Sequence, residues 1–246
     1  MSAPTIAQHT ALKAAGFAAV DVLNLAVSRR FAEIPGNGLC WHGSTNAVWQ
    51  SRVEALAVQE LMGKVESERR YRRCDGVIEG RLWTDHARGR TYFGFSGVLV
   101  RTAGGPYHQG FVTHLDGAAL GRLIGSGWVP VSLARGAALG SHHEPAATFG
   151  RRLKLGTQEL TVWTNLLAET RASARADLAR QVTAAGAAGA LLATADLDTR
   201  LEKCPNHHGH DRVVQASFLA TTMVRFADRA QGQAASAVDA TLDLAR

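Results

Sequence analysis

The chain has 246 residues, of which 46% are hydrophobic and 20% are charged, and its formal net charge is +6. This composition is ordinary for a globular protein and argues against a disordered chain. No run approaches the roughly 20 apolar residues of a membrane span, and the N-terminus lacks a signal-peptide pattern. Because three cysteines make no disulfide framework, we expect a cytoplasmic protein with no membrane partner.

The first half of the chain predicts a short helix, a strand, a long helix and a β-hairpin. Gly16 is suited to the left-handed cap that ends the short helix. Ser44 is one of three adjacent candidate N-caps for the long helix, whose apolar residues keep helical spacing. In chain order, these predicted elements span residues 9–15, 17–28, 44–65, 76–83 and 91–100.

The second half repeats this order. Pro130 cannot donate a hydrogen bond within a sheet, so the first strand of this half should be bulged or lie at an edge. The predicted elements span residues 117–124, 128–133, 157–182, 189–197 and 213–226. The remaining tail, from Gln231, is predicted to be a short helix or a frayed end. Each half is therefore expected to be α+β, a β-α-β-β unit with one helix on one small sheet.

Short sequence matches support a duplication. Gly16 and Gly127 precede the first strands at an offset of 111, and Gly76 and Gly189 open the hairpins at an offset of 113. Arg101 and Arg225 close the copies at an offset of 124. The increase of 124 − 113 = 11 places an insertion between the last two strands of the second copy.

These motifs resemble the YbjQ-like heavy-metal-binding domain family, which shares a dodecin-like β-α-β-β unit. The resemblance covers most of the chain and places a first domain at 1–103, a linker at 104–115, a second domain at 116–230 and a tail at 231–246. The matching residues are Ala15-Gly16-Phe17 and Ser126-Gly127-Trp128 at the strand starts, Cys74–Ile78 and Ala187–Leu191 at the helix-to-strand corners, and Gly97–Val100 and Thr221–Val224 in the closing strands.

The resemblance implies a self-assembling, non-enzymatic protein that binds metal. Units of this family form rings of five, so we expect a homo-oligomer with a multiple of five chains. The family label implies a heavy-metal site but carries no fixed set of ligands onto this sequence.

The insertion carries the strongest chemical signal in the chain. One thiol and several imidazoles in a short segment could bind Zn²⁺ or another divalent transition metal. An alternative is a solvated hairpin tip, where His, Asn, Gly and Asp are common for reasons unrelated to metal. The candidate ligands are Cys204, His207, His208 and His210.

We interpret the remaining His, Cys and Arg clusters as structural and not as functional sites. His142 and His143 could supply a remote half-site, but adjacent residues of a strand point to opposite faces, and a surface pair is favoured. Cys74 is interpreted as a small buried residue. The basic run 69–73 is interpreted as a solvated helix end, where cations complement the helix dipole, so no nucleic-acid partner is expected.

Three functions remain open from the sequence. The favoured one is a metal-binding assembly of two YbjQ-like domains. The second is a purely structural homo-oligomeric shell or scaffold without metal. The third and weakest is a zinc-dependent hydrolase acting at a cleft between the domains, for which no nucleophile motif is present.

Overall fold

The computed structural model describes most of the chain. The described residues are 10, 12–29, 44–87, 90–103, 110–145, 161–204, 209–225 and 241–242. For residues 44–50, 86–87, 145, 202–203 and 241–242 only the backbone is described.

Four strands form the first sheet. They are β1 (Phe17–Arg29), β2 (Gly76–Ala87), β3 (Arg90–Thr102) and β4 (Phe111–Val112), in the order β1-β3-β2-β4. β3 pairs antiparallel with both β1 and β2, while β4 pairs parallel with β2. β4 lies in the segment that the sequence assigns to the linker, so part of that segment adds a strand to the first sheet.

The second sheet has the same strand order. Its strands are β5 (Trp128–Pro145), β6 (Gly189–Lys203), β7 (Gly209–Arg225) and β8 (Thr241–Leu242), in the order β5-β7-β6-β8. β8 pairs antiparallel with β6 at two positions. The expectation of a helical tail is therefore wrong for these two residues, which form a strand. The architecture is α+β, as predicted.

Within the described residues, three helices accompany the sheets. They are α1 (Ser44–Tyr71), α2 (Gly117–Gly125) and α3 (Thr161–Ala184), and residues 12–14 form a further helical turn. α2 begins at the N-cap Asp116, whose side chain accepts a hydrogen bond from the backbone N–H of Ala119. In the described part of the chain, no helix combines the length and apolar character needed to cross a membrane.

One glycine in the left-handed backbone conformation directly precedes the first strand of each sheet. Gly16 has a φ of 81° and Gly127 a φ of 86°. Residues with a Cβ rarely adopt this conformation, and glycine adopts it without steric cost. The predicted Gly-aromatic corner is thus confirmed in both halves.

The strand register corrects the alignment of the two halves. Gly76 is opposite Val100, and Gly189 is opposite Met223. The closing strands are therefore related by 223 − 100 = 123 residues, so the offset of 124 read from the sequence was one residue too long. The insertion is 123 − 113 = 10 residues, and it lengthens the hairpin of β6 and β7.

Strand β5 is much longer than the predicted segment 128–133. Its extension is rich in Gly and Ala, which have weak strand propensity. Small residues are required here because α3 approaches this strand closely: a Cβ on Gly136 would lie 2.3 Å from the backbone oxygen of Ala174. The expectation for Pro130 is confirmed, because β5 lies at the sheet edge and its register shifts next to Pro130.

Helix α1 contacts both sheets. Its buried Leu61 and Val65 belong to a core cluster that also contains Phe95 of the first sheet and Leu133 and Leu219 of the second. Helix α3 covers the opposite face of the second sheet, with a core cluster of its own. The second sheet is therefore covered on one face by α3 and contacted on the other by α1.

Candidate metal centre

Three potential metal ligands meet at one end of the second sheet. They are His143 of β5, Cys204 at the end of β6 and Asp211 of β7, and one ligand atom of each lies within 4.8 Å of the others. Asp211 and Cys204 are 0% and 3% exposed, and the His143 side chain is 9% exposed. Buried polar groups of this kind need partners or a bound ion, because an isolated buried charge is costly.

The strand register brings these residues together. His143 is directly opposite Asp211, and Asp211 is in turn opposite Glu202 of β6. Directly opposed residues of an antiparallel pair share a face. Cys204 follows Glu202 by two residues, and its backbone N–H donates to the Gly209 oxygen at 3.1 Å, which closes the end of the hairpin. Three adjacent strands thus each place one donor on the face opposite α3.

A hydrogen bond fixes the imidazole ring of His143. Its Nδ1 lies 2.7 Å from Oδ1 of Asp211. An ionised carboxylate can only accept a hydrogen bond, so Nδ1 of a neutral ring carries the proton and Nε2 keeps its lone pair. A histidine held in this way by a carboxylate is the usual arrangement behind a metal-binding imidazole.

Gly209 leaves room for this ring. A Cβ built at Gly209 would lie 3.2 Å from Nε2 of His143 and 2.4 Å from the backbone oxygen of Glu144. Gly209 is also the hydrogen-bonding neighbour of Cys204, so the Nε2 edge of the ring is directed toward the part of the hairpin that carries the thiol.

The opposite face of the same strands carries an ion pair. Nε of Arg212 donates to Oε2 of Glu144 at 2.9 Å, and Glu144 is only 2% exposed. The guanidinium of Arg212 also lies over the ring of Trp163, 5.2 Å from its centroid. These contacts connect the ends of β5 and β7 to α3, which supports the register that opposes His143 and Asp211.

Of the four predicted ligands, the structure places one, Cys204, in the cluster. His207 and His208 lie outside the described residues. His210 is adjacent to Asp211 on β7, so its side chain is on the other face, opposite Glu144. Metal binding by His207, His208 and His210 stays a prediction from the sequence.

Sequence reasoning weighed His143 as a remote half-site but favoured a surface position for it, and it did not select Asp211. The interpretation of His142 and His143 as a surface pair is wrong for His143, whose side chain is almost fully buried. The rule that at most one of them could face a shared metal holds, since only His143 joins the cluster. The missing information was the length of β5, because a strand ending at residue 133 leaves His143 outside the sheet.

Cys74 and the basic run 69–73, the other residues considered in the sequence analysis, have contacts that stabilise the fold. Cys74 is 3% exposed, and burial raises the pKa of its thiol, as suits a buried structural residue. In the basic run, Arg69 is not solvated: it donates to the Cys74 backbone oxygen at 2.6 Å and to Glu66. The Arg70 and Arg72 guanidinium groups form ion pairs with Glu66 and Glu68.

A small cleft lies between the two sheets, away from the cluster. Its volume is about 170 Å³, and Trp83, Arg135 and Asp196 are among its lining residues. None of the three potential ligands lines it. The carboxylate of Glu54 lies 3.8 Å from Arg135, so this cation already has an acidic neighbour.

Comparison with known proteins adds no assignment, since no family model, no curated protein and no solved structure matches this chain.

Proposed function

We propose that this protein binds a divalent transition-metal ion, with Zn²⁺ the best fit, through His143, Cys204 and Asp211. The observation that carries the proposal is the convergence of a nitrogen, a sulfur and an oxygen donor within 4.8 Å. His143 and Asp211 come from two paired strands and Cys204 directly follows a third, so the three donors do not come from one continuous segment.

The donor set favours a borderline metal. Thiolate and imidazole ligands select Zn²⁺ and related ions, while Mg²⁺ and Ca²⁺ prefer all-oxygen sites. Zinc bound in proteins is usually tetrahedral, so these donors would fill three of its four positions, and His207 and His208 are the ligands predicted from the sequence for the fourth. Bound metal would supply a positive charge that stabilises the Cys204 thiolate next to the Asp211 carboxylate.

The hydrogen bond gives two of the residues distinct roles. With Nδ1 of His143 engaged by Asp211, Nε2 is the ring nitrogen that would bind the ion. Asp211 would then orient the imidazole through Oδ1, and its carboxylate is the oxygen donor of the cluster. Cys204 would supply the anionic sulfur ligand, which makes it the residue whose loss should cost most.

Burial of the donors favours a structural or storage role over catalysis. A catalytic zinc keeps an open coordination position for substrate, whereas structural sites are enclosed by the protein. Asp211 and Cys204 are both nearly inaccessible to solvent. This supports a non-enzymatic protein and counts against the zinc-dependent hydrolase.

Self-assembly from two YbjQ-like units belongs to the same proposal. Two sheets of the same strand order, each with one long helix between its first two strands along the chain, are compatible with two such units. A homo-oligomer with a multiple of five chains follows only from the family resemblance. A purely structural shell without metal is the alternative, and a metal-binding assay separates the two.

Zinc affinity of paired variants tests the site. The full-length protein and its variants are titrated with Zn²⁺ against a chromophoric chelator. Cys204→Ala should lose at least about 100-fold in affinity, because one ligand of three is removed. Cys74→Ala is the matched control, since both cysteines are 3% exposed, and its affinity should equal that of the wild type.

A second pair separates the two adjacent histidines. His143→Gln should weaken zinc binding by at least about tenfold, whereas His142→Gln, on the opposite face of β5, should leave it unchanged. Equal zinc affinity in Cys204→Ala and wild-type protein, with His143→Gln also unchanged, would sink the proposed site.

A further inference from the structure

The part of β6 that no described strand pairs with on its outer side carries a self-complementary pattern that is unrelated to the metal centre. β8 pairs with β6 only at Ala190 and Leu191, and the described residues contain no other strand on that side. Leu197 and Leu201 are 45% and 51% exposed. Exposed strand edges with apolar side chains are sites at which another strand can add.

The exposed side chains alternate between two faces. Leu197 and Leu201 are opposite Ala216 and Arg212 of β7, on the face where α3 lies mainly over β5 and β7. Asp198 and Arg200 point to the other face, and Nε of Arg200 lies 3.5 Å from Oδ2 of Asp198. One strand edge therefore offers two leucines on one face and one charge of each sign on the other.

We propose that two copies of this chain associate through antiparallel pairing of their β6 edges, with Thr199 on the two-fold axis. In this register Leu197 of one copy is opposite Leu201 of the other, and Asp198 is opposite Arg200. Two-fold symmetry repeats both pairs, so the contact contains two leucine pairs and two ion pairs.

Neighbouring registers are less favourable. An axis at Asp198 places two copies of that carboxylate directly opposite each other, and an axis at Arg200 does the same with two guanidinium groups. Like charges opposed across strands destabilise a sheet. The register centred on Thr199 also opposes Asp196 to Glu202 at its two ends. What distinguishes it from the other two registers is that Leu197 and Leu201 are then directly opposite each other.

Charge reversal tests the proposal directly. Asp198→Arg and Arg200→Asp should each weaken self-association of the full chain by at least about tenfold, because opposite charges become like charges. An equimolar mixture of the two variants should form a heterodimer, since one presents two arginines and the other two aspartates. The double variant Asp198→Arg/Arg200→Asp should associate with itself as the wild type does.

Matched control variants change the net charge by the same amount at positions on α3 instead of β6. Glu169→Arg and Arg171→Asp alter exposed positions of α3 and should leave self-association at the wild-type level. Self-association of all these proteins is measured by sedimentation equilibrium. The buffer contains EDTA, so that dimers bridged by a metal ion do not form. Wild-type protein that is monomeric at high concentration, single variants that associate normally, or a mixture that fails to recover association would each overturn the proposal.

Discussion

The two hairpins of this molecule have the same position in their sheets but different lengths. In the first sheet, β2 ends at Ala87 and β3 begins at Arg90. The equivalent positions of the second sheet are Arg200 (87 + 113) and Val213 (90 + 123), with 12 residues between them instead of two.

The potential metal ligands all lie beyond the part that the two hairpins share. Cys204 and Asp211 are in the lengthened hairpin, and His143 is in the part of β5 that pairs with it. The sheets are thus common to both halves, while the donors occur only where the second sheet is extended. An insertion at a hairpin can add a site without changing the core beneath it.

The first half has a polar network at a corner where the second half has none of the equivalent side chains. Its corner after α1 contains Glu66, Arg69 and Asp75, and Asp75 accepts two hydrogen bonds from Thr102. At an offset of 113 the second half has Ala179, Val182 and Ala188 instead. A polar network therefore supports the first corner, whereas small and apolar side chains occupy the second.

Removing the extension should have the largest effect. Replacing residues 201–212 with Arg-Gly, the dipeptide of the first hairpin, should abolish zinc binding because two of the three donors are removed. The circular dichroism spectrum should stay close to that of the wild type, since the shortened hairpin matches a length that the first sheet already uses. Zinc binding at wild-type affinity, or loss of the folded spectrum, would contradict the comparison.

Substitution of Asp211 should have an intermediate effect. Asp211→Asn retains an oxygen that can accept from Nδ1 of His143 but removes the negative charge, and we expect zinc affinity to fall by about 10-fold to 100-fold. Asp211→Ala removes the acceptor as well and should bind more weakly than Asp211→Asn. Chelator competition measures both, and equal affinity of Asp211→Ala and the wild type would remove Asp211 from the site.

Gly209 should be sensitive to the addition of one methyl group. Its Cβ would lie 2.4 Å from the Glu144 backbone oxygen, so Gly209→Ala should lower the free energy of unfolding by about 1–3 kcal/mol. Gly63→Ala in α1 is the control: nothing lies within 4 Å of its Cβ, and alanine should stabilise the helix by about 0.5–1 kcal/mol. Urea unfolding distinguishes these outcomes, and a neutral Gly209→Ala would refute the close packing of the hairpin end.

The smallest expected effect is the loss of the Glu66 contribution to the free energy of unfolding at low pH. The hydrogen bond from Arg69 holds the pKa of Glu66 below its ordinary value of 4.5. The stability that this carboxylate contributes is therefore fully present above pH 4.5 and is lost as the pH falls through the lowered pKa. Because the Glu66 side chain is 35% exposed, the contribution is at most about 1 kcal/mol.

A substitution isolates this contribution. The difference in unfolding free energy between wild type and Glu66→Gln should be largest near neutral pH and vanish in acid. Glu169→Gln, at an exposed position of α3, is the control for the loss of one carboxylate elsewhere. A Glu66→Gln difference that stays constant with pH would show that the ion pair contributes nothing.

Local sequence signals were sufficient for much of the fold. The left-handed Gly16, the existence of the long helix α1 and the irregular strand at Pro130 each have a local cause, and each of these predictions is confirmed. The extension of β5 was not predictable in this way, because Gly136 and Gly140 are selected by the approach of α3 and not by strand propensity. His143 was missed for the same reason, since only the long strand places it opposite Asp211.

Native mass spectrometry of the full chain with added Zn²⁺ tests the central claim most directly. If the extension of the second sheet forms a metal site, the wild-type protein should retain one tightly bound zinc ion per chain. The variant that lacks residues 201–212 should retain none under the same conditions. A wild-type protein that stays free of metal, or a shortened protein that binds the same ion, would contradict the account.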